Sequence, residues 1–322
     1  MPVIVLVEHV GGLPDDISLQ ALTLARGYAS AAGAPLHAVL VGGRAVAAGL
    51  TGQGVAVAHS VEHEALASYA PAAWAAALQQ LAEALTAVAV VAPGSDRGNE
   101  VMAHLAARLD LPLAANCTAA EPGEAAAVTR VRWGGSLLEQ ARLRAPVKLL
   151  TVAPHAVAAT AEGTAQPPVE RFAPALEPAD TAVSVVERIV AGGGGVSLAT
   201  ARVVVSGGRG AGSAEGFAAI EELAGLLGAA VGCSRAVTIA GWRPHTDQVG
   251  QTGTKIAPEV YIACGISGAT QHMAGCRGAR QILAINTDPE ASIFAGADYA
   301  VIGDLHQVVP AIAAEVRKAR SA

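Results

Sequence analysis

The chain has 322 residues, 52% of them hydrophobic, 3% aromatic and 15% charged, with 36 glycines and a formal net charge of −6. That apolar share excludes an intrinsically disordered chain, and the acidic balance leaves no electrostatic footprint for nucleic acid. The most apolar runs, such as 86–93 and 201–205, are strand-length, far short of the roughly 20 residues of a spanning helix, so no membrane insertion is expected.

The start, MPVIVLVEHV, lacks a basic leader and carries Glu8. It reads as the first strand, over Val3–Val7, and not as a targeting segment, so a cytoplasmic location is expected. The helical spacing of Ser18–Ala32 ends near Gly33, a helix C-terminal signal. Further strands are expected over Leu36–Val41, Val55–Ala58 and Val88–Ala92. Helices are expected over Ala72–Ala84 and from PGSDRG to Leu109. Val128–Trp133 and Val147–Val152 read as additional strands. Such alternation predicts a mostly parallel sheet covered by helices.

From Ala156 to about Thr200 the composition turns to Ala, Thr, Glu and Pro, with one possible strand at Val183–Ile189. Gly192–Gly195 follow no strong strand and open no helix, so they read as part of a linker. The remainder predicts strands at Arg202–Val205, Ala230–Gly232, Val260–Cys264, Ile282–Ile285 and Ala300–Ile302. Helices are expected over Ser213–Gly228, from near Ser267, and over Val308–Arg320, with a long polar loop from Cys233 to Pro258. The fold class expected is α/β, with two doubly wound domains of mostly parallel sheet, the C-terminal one Rossmann-like. The boundaries expected are 1–190 for the first domain, 191–200 for a Gly-rich linker and 201–322 for the second domain.

In the second half, polar and glycine clusters follow the strands: SGGRG (206–210), CSR (233–235), GISGATQH (265–272), INTD (285–288) and GD (303–304). Open α/β sheets bind ligands outside the carboxyl ends of their strands, so five loaded loops on one edge point to a large ligand. SGGRGAGS suits phosphate through backbone amides at a helix start. It has Ser213 at the third glycine position of the dinucleotide fingerprint, and no ribose-binding acid follows at the required spacing. His272 lies one turn into the helix that SGATQH begins.

Other chemistries are weaker. His59-Ser60-Val61-Glu62-His63 matches H-x-x-E-H, but it begins at the end of a strand-like run and lacks a third ligand on a helix. There is no G-x-S-x-G and no GxxxxGK[ST]. Cys117, Cys233, Cys264 and Cys276 form no CxxC pair, and free thiols suit a reducing compartment. No catalytic acid, base or nucleophile and no metal site is expected.

Taken together, VVVSGGRG, GCSRAV, DQVGQTGTKIAPEVYIACGISGATQHMAG and AINTDPEASIFAGADYAVIGDL resemble the α subunit of electron transfer flavoprotein. VLVEH, APGSDRGNEVMAHLAARLDLPL and APVKLLTV extend the resemblance over the first domain, which is expected to be nucleotide α-hydrolase-like. The resemblance implies an αβ heterodimer with one FAD, held mainly by the C-terminal domain. It implies an electron carrier and not an enzyme. Such a carrier takes electrons from flavin dehydrogenases and passes them to a membrane quinone reductase or another acceptor. The FAD-site residues it implies are Arg209, Ser234 and Arg235; Val249, Gly250, Gln251 and Thr252; Ser267, Gly268, Ala269, Thr270, Gln271 and His272; and Asn286, Asp304 and Leu305. Within the family the Thr252 hydroxyl is placed near flavin N5, and His272 near the C2 carbonyl. Trp242, Thr254, Thr287 and Ser292 depart from the common pattern, beside the motif core.

Overall fold

A computed structural model describes residues 1–135, 137–187 and 196–321. The chain divides into two units, Met1–Ile189 and Val190–Ala322.

The first unit begins with β1 (Val3–Leu6), whose four residues are all buried. Burial on both faces is what a central parallel strand requires. A small hairpin, β2 (His9–Val10) with β3 (Leu13–Pro14), leads into α1 (Asp16–Ala32). Asp15 caps that helix by accepting from the Ser18 amide, and Gly33 ends it in the left-handed conformation. Next come β4 (Leu36–Val41), β5 (Val57–Val61), α2 (Pro71–Ala84), β6 (Ala89–Pro93) and α3 (Asp96–Leu109). They are followed by β7 (Leu113–Glu121), β8 (Ala125–Arg132), β9 (Leu137–Arg144), β10 (Lys148–Val152) and β11 (Val169–Phe172). The sheet order is β11-β5-β4-β1-β6-β10-β7-β8-β9. Strands β11 through β7 are parallel neighbours, and β8 and β9 join antiparallel. Val3 and Val5 face a core with α1, whereas Ile4 and Leu6 face one with α2 and α3. Helices therefore cover both faces, as in a doubly wound sheet.

The second unit has β12 (Val203–Gly207), α4 (Ala218–Leu227), β13 (Ala230–Cys233), α5 (Arg235–Ile239) and β14 (Val260–Cys264). It ends with α6 (Thr270–Cys276), β15 (Gln281–Asn286), β16 (Tyr299–Ile302) and α7 (Leu305–Ser321). All five strands are parallel, in the order β13-β12-β14-β15-β16. Val204, Tyr261 and Ala284 face α6, while Val205, Ile262 and Ile285 face α4 and α7. The order reverses at β12, which places a switch-point crevice between the loops leaving β12 and β14.

Several elements differ from the sequence expectation. Residues 183–187 form no strand; residues 188–189 of that expected strand, and the Gly192–Gly195 run, lie outside the described residues. The strand this region contributes is β11, from Val169. The helix expected from Ser213 begins at Ala218, after a short 3-10 turn over Glu215–Phe217. The Cβ that any other residue would add at Gly216 would fall 1.8 Å from the Ala211 carbonyl oxygen, so the chain turns tightly here before the helix can run. The loop expected from Cys233 contains α5, and the last helix begins at Leu305. His59 lies within β5 and hydrogen-bonds through Nε2 to Nδ1 of His37 at 2.9 Å. His63 caps the turn that follows, accepting from the Ala65 amide. The H-x-x-E-H stretch is thus a strand and a cap, a geometry unlike the helical zinc motif. Among the described residues no helix is long and apolar enough to cross a membrane.

Candidate functional site

Because the five strands of the second unit run parallel, all five polar clusters emerge at its carboxyl edge. At the crevice the loops after β12 and β14 are in backbone contact. The Gly208 amide donates to the Cys264 carbonyl (2.8 Å) and the Gly210 amide to the Gly265 carbonyl (3.1 Å). A Cβ added at Gly208 would fall 2.2 Å from the Gly265 oxygen. The glycines of SGGRG therefore let two loops close on each other, a tighter use than the expected approach to a ligand. Arg209 is carried outward by this turn and is exposed.

After β13, the Ser234 amide donates to the Gly207 carbonyl at 3.0 Å, and Arg235 opens α5 with its side chain exposed. Among the described residues neither Arg209 nor Arg235 forms an ion pair, whereas Arg243, behind the same edge, is held by Asp247 and Glu221. Both follow neighbouring strands, so the two exposed guanidinium groups bring positive charge to one edge of an acidic protein.

The stretch 249–252 is seated on α6. Its Val249 amide donates to the Cys233 carbonyl (2.9 Å), and the Gln251 amide to the Gln271 carbonyl (2.7 Å). At Gly250 φ is +145°, and a Cβ at Gly275 would meet the Gly250 nitrogen at 2.3 Å. The two motifs VGQT and ATQH are thereby joined into one surface. Gln251, Thr252, Ser267, Ala269, Thr270 and Gln271 are exposed on it, and Val249, Gly250, Gly268 and His272 lie beneath.

His272 is 7% exposed, and its Nε2 hydrogen-bonds the hydroxyl of fully buried Tyr261 at 2.7 Å. Burial pushes its pKa down to about 4, only partly offset by the nearby Val249 backbone. The ring is consequently neutral at neutral pH, so it can orient a hydrogen bond but supplies no charge. Burial likewise holds the Tyr261 hydroxyl well above its usual range, so Tyr261 keeps its proton.

Asn286 and Asp304 serve their own loops. Asn286 Nδ2 donates to the Ile266 carbonyl (2.9 Å) and its Oδ1 accepts from the Asp288 amide (3.1 Å). Asp304 caps α7 by accepting from the His306 amide at 2.9 Å, and Leu305 is buried. The edge thus offers guanidinium groups, hydroxyls, amides and bare backbone, the donor set that suits a phosphate-bearing cofactor with acceptor-rich rings. FAD, with a pyrophosphate and an isoalloxazine ring, fits it.

Three residues outside the sequence expectation hold this edge together. Tyr261 anchors His272. Gln248, 2% exposed, links Thr238 to Thr252. Arg243 bonds Asp247 (Nε to Oδ2 2.9 Å) and Glu221, and stacks over Phe217 at 5.5 Å. A tyrosine buried in a strand must satisfy its hydroxyl, which hints at Tyr261 but not at its partner. The other two depend on contacts made only in the folded chain.

Comparison with known proteins places these features. Residues 3–177 match the family described as the electron transfer flavoprotein domain, and residues 197–277 the electron transfer flavoprotein FAD-binding domain. The chain is 38% identical over 322 residues to the electron transfer flavoprotein subunit alpha of Mycobacterium tuberculosis, covering 99% of this chain and 98% of the relative. It is 34% identical over 322 residues to the subunit alpha of Thermoanaerobacterium thermosaccharolyticum, covering 98% and 97%. With the Mycobacterium leprae subunit alpha it shares 38% over 312 residues, covering 95% of each.

Proposed function

The chain belongs to the electron transfer flavoprotein α-subunit family, and on that premise we propose that it works as the α subunit of a heterodimer, with a β subunit as its partner. It carries electrons from flavin dehydrogenases to a membrane quinone reductase or another acceptor, in the cytoplasm. FAD is the cofactor of its C-terminal domain. When bound, FAD supplies a ring system that takes up and gives up electrons.

The observation that carries this reading is the gathering of five polar loops on one edge of a parallel sheet, with exposed Arg209 and Arg235 among them. In our reading Arg209 and Arg235 provide the positive charge for the cofactor. The loops 207–210 and 265–268, locked to each other, frame the crevice for it, and the exposed side chains of Gln251, Thr252, Ser267, Thr270 and Gln271 orient it. His272 holds a neutral hydrogen-bonding ring beneath, and Asn286, Asp304 and Leu305 shape the far end. With His272 neutral, Arg235 is the group that favours added electrons on the ring, since a fixed cation near developing negative charge stabilises it.

Co-expression with a β subunit tests the reading. The purified complex is expected to be yellow, with the absorption of an oxidised flavin, and to bleach on reduction. A colourless complex would refute the assignment.

A further inference from the structure

Gln248 heads the VGQT stretch, and its amide spans two hydroxyls. Thr238 Oγ1, in α5, shares its one proton between Gln248 Oε1 (2.7 Å) and the Arg235 carbonyl (2.9 Å), and Gln248 Nε2 donates to Thr252 Oγ1 at 2.9 Å. The backbone of Gln248 is equally fixed. Its amide donates to the His245 carbonyl (3.0 Å), and its carbonyl accepts from Thr254 (2.7 Å). The side chain is buried, whereas Thr252 is exposed. A buried amide held at both ends is a rigid strut, and an exposed threonine without it would sample several rotamers.

A hydroxyl has one proton and two lone pairs. Where Thr252 accepts from Gln248, its own proton is left for a partner on the outer face. We infer that Gln248 is a positioning residue: it fixes the Thr252 side chain and commits its hydroxyl to donate outward, to an acceptor atom of the bound cofactor. The inference rests on the reading above, in which Thr252 faces FAD. Turned over, the amide would instead take the Thr252 proton and leave only lone pairs facing out.

The test uses the complete heterodimer, stripped of flavin and titrated with FAD by fluorescence. Gln248→Met keeps the volume and removes both hydrogen bonds. It is expected to weaken FAD binding about five- to tenfold, the effect of one net hydrogen bond, and to move the reduction potential of bound FAD in the same direction as Thr252→Val. The double variant is expected to be no weaker than Thr252→Val alone, because the two residues act as a unit. Thr238→Val, which removes the anchor at the far end of Gln248 together with the bond to the Arg235 carbonyl, is expected to give a smaller loss and carries the test should Gln248→Met not assemble.

Unchanged affinity in Gln248→Met and in Thr238→Val would overturn the positioning role while leaving the site intact, provided Thr252→Val still weakens binding. If Thr252→Val has no effect, the placement of Thr252 at the cofactor fails, and the inference with it. Full additivity of Gln248→Met and Thr252→Val would also overturn it. So would tighter binding in Gln248→Met, which would mean that the amide had been taking the Thr252 proton.

Discussion

The two units are built on one plan and finish their carboxyl edges in opposite ways. In the first unit the strand order reverses at β1, which puts the crevice between the loops after β1 and β6. Glu8 occupies it. Ser95 donates to the Glu8 carboxylate while accepting from the Gly98 amide, and the Glu8 amide donates to Ser18. Beside it, the Asn116 amide donates to Thr151 Oγ1 (2.8 Å), Thr151 to Asn99 Oδ1 (2.7 Å), and Asn99 to the Gly94 carbonyl (3.1 Å). The polar groups there are largely used up, and the charge is negative. In the second unit the corresponding crevice holds glycine backbone with Arg209 turned outward, and Arg235, Thr252 and Ser267 exposed on the same edge. Architecture alone therefore does not make a ligand site. The difference lies in whether the loop side chains find partners within the fold.

The arginines give the largest way to break that contrast. Replacing Arg209 and Arg235 together by Ala is expected to cost about 3–6 kcal/mol of FAD binding, at about 1.5–3 kcal/mol for each hydrogen bond to a charged group. That is roughly two to four orders of magnitude in Kd. Arg97→Ala, at the edge of the first unit, where Arg97 stacks over Tyr69, is expected to leave Kd unchanged. Titration of each flavin-free heterodimer with FAD decides the matter. A comparable loss from Arg97→Ala would show that the first edge also serves the cofactor.

The second unit's edge was legible in the sequence, for a physical reason, whereas the closing of the first was not. β-branched runs such as VIVLV and ILAI must be buried on two faces, so they mark parallel strands, and the residues just beyond them must form the edge. What stayed hidden was non-local. The segment 113–127 is too rich in alanine to show a period, so β7 and the start of β8 did not stand out. Nor does sequence indicate that β10 inserts between β6 and β7, which precede it in the chain. In the site, residues just beyond the strands, such as Arg209 and Ser267, could be picked out by position. Tyr261, Gln248 and Arg243 could not, because each acts through a partner on another element. The charge state of His272 was equally invisible, since it is set by burial against β14.

That burial yields the second test. The folded pKa of His272, about 4, lies below the usual 6.5, so folding favours the neutral ring. Its contribution is fully present above pH 6.5 and is lost as pH falls from 6.5 towards 4. A shift of this size corresponds to about 3 kcal/mol. His272→Gln keeps a polar group without the titration. Denaturant unfolding of wild type and variant at pH 7 and pH 4 should therefore show their stability difference moving by about that amount, against the wild type at acid pH. A difference that stays constant with pH would show that the imidazole is not held neutral.

The smallest effect is expected at Glu8, and it probes the closed edge. Desolvation raises the Glu8 pKa above 4.5, outweighing the Ser95 hydrogen bond and the attraction of Arg97, which both lower it. The folded chain therefore holds the Glu8 proton more tightly than the unfolded chain does. The stabilisation this brings is complete below pH 4.5 and disappears as pH rises through the folded value. At neutral pH the buried carboxylate is a net cost, retained because it fills the crevice and bonds Ser95. Glu8→Gln can still accept from Ser95 and has no charge to bury. It is expected to match or slightly exceed wild type in stability at pH 7, to lose that advantage by pH 4, and to leave FAD content unaltered. Wild type unfolding at higher denaturant than Glu8→Gln at pH 7, by a margin that persists at pH 4, would mean that geometry and not charge closes this edge. The contrast between the two units would then rest on the arginines alone.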